Sequence, residues 1–456
     1  MRISEILAEF VVSTPTQSLP PLAMERAKMS LASTIASAAV GYGIESARLI
    51  REIEADHGGT PQASVWFAAN KLPSPAAARI NATASDAAAS DDSDMRSIAH
   101  IGTIASTVSM AIGERLCSPG NELLAAMVLG YEVAGRMDEA LTPGRTQKGF
   151  HGCVSTIFAA AACTARLMKL DQARTAQALS LAATSIGGLA SAADTSCSRE
   201  YHAGLSALLG TQAALAAQRG FQAEQGILEH PKGFFHVFGG QAIEDVTRAL
   251  GDSWDIVTDM AVKLIPGGHP YHAIAEAAMN AAIAGDVDPA KIDRVVISAI
   301  QLQNWRGPQE VSDLISAAHS AVYFVAAAIA DRGFGWDHIK PEKMQDERIL
   351  AVQRRVEFDP VPPPLPDRFP HRHGGTITII MKNGEQWSST CRMPRGSGPR
   401  GISWEDIRSK FKRLAPASGL PVDQLNDCFD HVRNLELMQD VNTLARLLQT
   451  RRAADE

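Results

Sequence analysis

The sequence predicts an α+β fold that is mostly helical, a large all-helical domain interrupted by a smaller inserted α+β domain. Three observations predict it. Alanine runs recur throughout the 456-residue chain while aromatics make up only 5%, which suits closely packed helices better than a sandwich. Apolar residues recur at helical spacing from Ala23 to about Gly251. After Pro266 β-branched runs appear, and helical spacing returns at Trp404.

In chain order, Ser30 to Ser37 has small residues on most faces and reads as a buried helix. Helical periodicity continues through Ser106–Leu116, Glu122–Met137 and Val154–Leu170. Asp171 is placed to cap a helix from Gln172 to Ile186, and another runs from His202 to Arg219 and stops at Gly220. Arg294–Ile300 reads as a strand, Ser312–Ala330 as a helix and Gln353–Phe358 as a second strand. Val361-Pro362-Pro363-Pro364-Leu365-Pro366 reads as a stiff connector. Thr376–Met381 and Glu385–Cys391 flank Asn383-Gly384, the signal of a hairpin with a type I′ turn. Trp404–Leu414 and Val422–Leu448 return to helix. The expected division is 1–266 for the first part of the helical domain, 267–393 for the α+β domain and 394–456 for C-terminal helices that rejoin the first. No internal repeat is evident.

Composition narrows the function. Hydrophobic residues are 45% and charged residues 20% of the chain, ordinary for a globular protein. The net charge of −7 gives no reason to expect nucleic acid, and it obliges an anionic substrate to find a local basic pocket. Charged or polar residues interrupt the alanine-rich segments before membrane-spanning length, and the first residues lack a signal-peptide pattern, so no membrane partner is expected. The six cysteines show no paired spacing and most read as buried thiols, which points to the cytoplasm.

Five short segments set polar or titratable side chains beside strongly apolar helix, where burial costs several kcal/mol unless the groups are paired. Asp91-Asp92-Ser93-Asp94 precedes an apolar helix; it is either an exposed N-terminal cluster that complements the helix dipole or, with His100, a contact to a substrate hydroxyl or water. His151 lies between glycines in Gly149-Phe150-His151-Gly152, either a turn histidine or one brought close to a ligand. Arg199-Glu200-Tyr201 leads into the helix that starts at His202, and Ala317 to Tyr323 carries His319 and Tyr323. Lys263, between Val262 and Leu264, either snorkels or is a desolvated general base. His269-Pro270-Tyr271-His272 lacks the carboxylate or cysteine partners a metal would need, so no metal is expected there. No Walker loop, dinucleotide-binding turn or nucleophile elbow occurs, and no cofactor is expected.

Taken in order, these segments resemble the 2-methylcitrate dehydratase / cis-aconitate decarboxylase / iminodisuccinate epimerase family, often called MmgE/PrpD. The resemblance covers essentially the whole chain. It includes the Asp-Asp-Ser stretch, Gly149-Phe150-His151, the His202-Ala203-Gly204 helix start, Ala217 to Phe221, Ile227-Leu228-Glu229 with Gly233-Phe234-Phe235, Lys263 to Pro266, and Ser403-Trp404-Glu405 with Lys410-Phe411. It implies a homodimer of chains with a lid-like α+β domain, a site between the two domains, and cofactor-free chemistry on small polycarboxylates. It further implies that Asp92 and Ser93 match the family's Asp-Thr pair, His100 its following histidine, His151 its Gly-Phe-His histidine, Lys263 the lysine before its Tyr-Pro stretch, His272 the histidine after it, and Tyr323 the tyrosine of a Ser-x-Pro-Tyr-like segment.

The departures shape the expected reaction. The dehydratases and decarboxylases usually have His-Pro-Ser where this chain has His100-Ile101-Gly102, an aspartate where it has Ala89, and a lysine where it has Arg199. Arginine binds a carboxylate bidentately but donates no proton near neutral pH. The expectation is therefore an epimerase of an iminodisuccinate-like polycarboxylate. A base removes the proton next to a carboxylate and an acid reprotonates the other face. Lys263, His100, His151 and Tyr323 supply the acid and base, and Asp92, Ser93, Arg199 and His272 bind substrate. The alternatives are a lyase of the same family, a dehydratase or decarboxylase, and a non-catalytic polycarboxylate-binding protein.

Overall fold

The computed structural model describes residues 1–450 apart from Ser97, Ala242, Asn304 and 364–372. The chain divides into two compact units, 1–262 with 403–456, and 263–402. The fold is mostly helical α+β, as the alanine-rich periodicity requires.

The first unit is built on long helices, Pro21–Gly41, Ser74–Ala87, Ile101–Leu116, Gly120–Leu141, Cys153–Leu167 and Ser198–Gln218. Small side chains let their backbones approach closely. Ser74–Ala87 packs on Pro21–Gly41, Ile101–Leu116 and Ser198–Gln218, and Cys153–Leu167 packs on Ile101–Leu116, Gly120–Leu141 and Ser198–Gln218. The segment after the insertion returns to this unit: Trp404–Leu414 lies against Pro21–Gly41, and Trp404 donates its indole N–H to Glu25 at 2.9 Å. Two-residue strands Ser93–Asp94 and Met260–Ala261 pair antiparallel. No helix among the described residues is long and apolar enough to cross a membrane.

The second unit is a four-stranded sheet with helices. The sheet order is Val356–Phe358, Ile292–Ser298, Gly375–Met381, Gln386–Cys391; the first pair is parallel and the others antiparallel. Period-two alternation buries Val295, Ile297, Ile377 and Ile379 in one core with Ala273, Ile274 and Ala277 of helix His269–Ala284 and with helix Ala321–Ala330.

Several local expectations hold. Asp171 caps Gln172–Ala182 by accepting from the Arg174 N–H at 2.8 Å, although that helix ends at Ala182 rather than Ile186. Others are corrected. The expected helix 312–330 is two helices, Leu314–Ala318 and Ala321–Ala330. Asp313 caps the first, and Ser320 caps the second by accepting from the Tyr323 N–H. The expected helix 422–448 breaks at Asn434 into Val422–Arg433 and Asn442–Leu447 with a 3₁₀ turn between. The hairpin turn is not type I′. Gly384 has a φ of 88°, Asn383 is not left-handed, and Met381 still pairs with Glu385, so the loop has three residues. The Asn383 side chain accepts from the Glu385 N–H at 3.1 Å, which settles the turn without a left-handed asparagine. Pro364 to Pro366 of the expected connector, and the last residues of the expected C-terminal segment, lie outside the described residues.

Candidate active site

In the first unit the first turns of three long helices meet the last turn of a fourth. Asp86 ends Ser74–Ala87, His100 and Thr103 open Ile101–Leu116, His151 immediately precedes Cys153–Leu167, and Arg199 and His202 open Ser198–Gln218. A carboxylate at a helix C-terminus opposes the dipole, so Asp86 must be held there by cations. It is. Arg199 Nε donates to Asp86 Oδ1 at 2.6 Å and Arg199 Nη2 to the Asp86 carbonyl at 2.8 Å, while His100 Nδ1 lies 2.6 Å from Asp86 Oδ2. The same Nδ1 lies 2.9 Å from Asp91 Oδ2, which also accepts from the Thr103 hydroxyl at 2.8 Å. Burial works to lower the Arg199 pKa, but Asp86, Glu200 and Asp91 outweigh it and raise the pKa.

Asp92 is fully enclosed. Its Oδ2 accepts from the Ser30 hydroxyl at 2.5 Å, and its Oδ1 has no hydrogen-bond partner among the described residues. Burial pushes its pKa up to about 6, with Asp91 adding to the rise, against the Ser30 bond, Lys410 and His100. The room for this carboxylate comes from Gly102: a Cβ there would sit 1.9 Å from Asp92 Oδ2 and 2.3 Å from Ser30 Oγ. Lys410 donates to Ser33 Oγ at 2.8 Å and to the Ser90 carbonyl, tying the returning segment to the loop that carries Asp91 and Asp92. Beyond that loop Arg96 is ringed by acids, with Asp94 at 2.8 Å, Asp255 at 2.6 Å and Glu139 at 2.9 Å.

The second half of the site is an imidazole pair. The rings of His151 and His202 lie 5.1 Å apart. Burial drives His151 well below the usual histidine range, helped by His202 and Arg145, and burial also lowers His202. Both are neutral at pH 7. Asp86 and His100 act electrostatically on His151, so the two halves share one environment. Gly188 closes over the pair, since a Cβ there would fall 2.6 Å from Cys153 Sγ and 3.0 Å from His202 Cε1. The Cys153 thiol is pushed up to about 12 by burial and carries its proton.

Two sets, His151 with Cys153 and His202, and Asp86 with Asp91 and His100, have donor atoms close enough to hold a metal ion. Their chemistry does not favour one. The first set would have to ionise a strongly disfavoured thiol, and the second already has a guanidinium on Asp86.

The structure therefore gathers His100, His151, Asp92 and Arg199. Ser93 is buried nearby in the short strand that pairs with Ala261. Arg199 differs from its expected use, because two of its donor groups are spent on Asp86. Lys263 and His272 belong to the second unit, and both are buried. His272 Nε2 lies 3.2 Å from the Gly267 carbonyl, so that nitrogen carries a proton, and its ring is 4.6 Å from that of His269. Tyr323 is a correction. Its ring is fully enclosed in the second core and its hydroxyl donates to the His338 carbonyl at 2.6 Å. Burial raises its pKa, and in this structure its hydroxyl is committed to that carbonyl. Sequence reasoning missed Asp86 and gave His202 no role. The available signal for Asp86 was a lone carboxylate closing an alanine-rich helix.

Residues 5–245 match the MmgE/PrpD N-terminal domain and residues 266–427 the MmgE/PrpD C-terminal domain. Similar proteins include the cis-aconitate decarboxylase of Mus musculus, 24% identical over 100% of this chain and 95% of that protein. The cis-aconitate decarboxylase of Homo sapiens is 25% identical over 98% and 94%, and that of Aspergillus terreus 24% identical over 98% and 96%. The two domain matches together span most of the chain, which belongs to the MmgE/PrpD family of enzymes.

Proposed function

We propose that this chain is a lyase that removes carbon dioxide from a small unsaturated polycarboxylate of the cis-aconitate type. The carrying observation is the partly exposed cluster of His100, His151 and His202 beside Arg199, where three helix N-termini supply positive ends for an anion. The similar proteins, all named as decarboxylases, support this choice among the family's reactions. In such a step the bond to one carboxylate breaks and carbon dioxide leaves. Its electron pair passes into the adjoining alkene and carboxyl group, and a proton is delivered to carbon. Preorganised donors stabilise the charge that develops. The His100 Nδ1 proton faces two carboxylates, and in this reading Nε2 is the atom that moves a proton.

The expected epimerase loses ground because the similar proteins bear a lyase name. The test is proton NMR in deuterated water on a polycarboxylate panel that includes cis-aconitate, with carbon dioxide measured in parallel. Stoichiometric carbon dioxide with a deuterated product is expected. Deuterium at a stereocentre with no loss of carbon or water would overturn the reading in favour of epimerisation. Lys263→Ala and His272→Ala, in the same assay, report whether these buried groups take part.

A further inference from the structure

The structure assigns Asp86 a role as the positioning residue of the site: one carboxylate sets the proton of His100 and orients Arg199 at the same time. The assignment rests on the reading of His100 as the proton-transfer group. Asp86 bonds both partners. Oδ2 lies 2.6 Å from His100 Nδ1, Oδ1 accepts from Arg199 Nε at 2.6 Å, and the backbone carbonyl accepts from Arg199 Nη2 at 2.8 Å. Carboxylate oxygens accept, so the shared proton is on Nδ1, and Asp91 at 2.9 Å on the same nitrogen reinforces that choice. Nε2 is thereby kept for chemistry. The guanidinium plane is fixed by bonds to two different groups of one residue, so its direction follows that of the imidazole.

A simple tie between helices would not need this residue type at this place. Asp86 lies in the last turn of Ser74–Ala87, where the dipole disfavours a negative charge, and it is fully buried. A neutral side chain would join the helices without that cost. The carboxylate therefore serves its partners, much as the acidic member of a nucleophilic triad holds an imidazole in one tautomer without taking the proton itself.

The test uses the full chain labelled with ¹⁵N-histidine, and reads the His100 tautomer by long-range proton–nitrogen correlation, assigned with His100→Gln. In the unsubstituted protein Nδ1 carries the proton. Asp86→Asn, with Asp91→Asn as the second arm, is expected to populate the Nε2–H form, and the double variant to do so fully. In the turnover assay Asp86→Asn should lower kcat by about 100-fold or more, the lower end of what a positioned acid or base contributes, with KM changed only a few-fold. Asp86→Glu should recover part of kcat and the Nδ1–H form. An Nε2–H tautomer in the unsubstituted protein, or an unchanged tautomer in the double variant, would overturn the assignment. So would a loss of stability with kcat intact. Because the tautomer is read without turnover, failure of the proposed reaction on every substrate tried would leave this measurement standing.

Discussion

Replacing Gly102 by alanine sets two effects of opposite sign against each other. Gly102 is in the first turn of Ile101–Leu116, where helix propensity alone favours alanine by up to about 1 kcal/mol. The Cβ, however, would lie 1.9 Å from Asp92 Oδ2 and 2.3 Å from Ser30 Oγ, inside both atoms. Separating them breaks a buried bond to a charged group, worth about 1.5–3 kcal/mol. Overpacking adds about 1–3 kcal/mol. The net is a loss of about 3 kcal/mol. Urea unfolding followed by far-UV circular dichroism measures it, with the slope checked for an altered denatured state. The second arm is Ser30→Ala, which removes one of the clashing atoms and the bond together. In that background Gly102→Ala should cost at least about 1 kcal/mol less, the mark of coupled neighbours. A Gly102→Ala protein as stable as the parent, or the same cost in both backgrounds, would refute the packing argument for Asp92.

The Asp92 carboxyl is raised on folding, from 3.8 to about 6, so its contribution to stability is fully present below 3.8 and is lost as pH rises through about 6. A shift of roughly two units is worth on the order of 3 kcal/mol, so Asp92→Asn should gain on the parent between pH 4 and pH 7.5 in denaturant titrations, and parallel curves would contradict this. Lys410→Met removes a cation that lowers the Asp92 pKa and strands the Ser90 carbonyl; it should cost about 2 kcal/mol and move the Asp92 transition upward, by carboxyl carbon NMR. Tyr323→Phe deletes the bond to the His338 carbonyl and should cost about 1 kcal/mol in thermal unfolding while turnover stays within a few-fold, whereas loss of turnover would restore Tyr323 to the chemistry.

Helical spacing was legible because small residues occupy most faces of Ser30–Ser37, and close helix packing buries them. The strands were legible for the matching reason, the alternation of Ile377, Ile379 and Met381. Breaks were harder. Ser320 stops one helix and caps the next through its own hydroxyl, a local bond that periodicity does not register. Within the site, His100 stood out because it follows the carboxylate run, and His151 because glycines flank it. Asp86 did not, since its function depends on Arg199, 113 residues away in sequence, and on a histidine in another helix. Tyr323 misled because a tyrosine beside a serine and a histidine reads alike whether its hydroxyl faces a substrate or a carbonyl.

The return of the chain after the insertion bears on its synthesis. Trp404–Leu414 completes the packing of Pro21–Gly41, and Lys410 reaches Ser33 and Ser90, yet residues 263–402 are translated in between. At roughly 5–20 residues per second the ribosome needs on the order of ten seconds to pass that stretch. The first helices thus emerge with the face of Pro21–Gly41 that Trp404–Leu414 covers open to water. A chain cut short before Trp404 would leave that face bare, a cost that a protein whose domains follow one another in line does not carry.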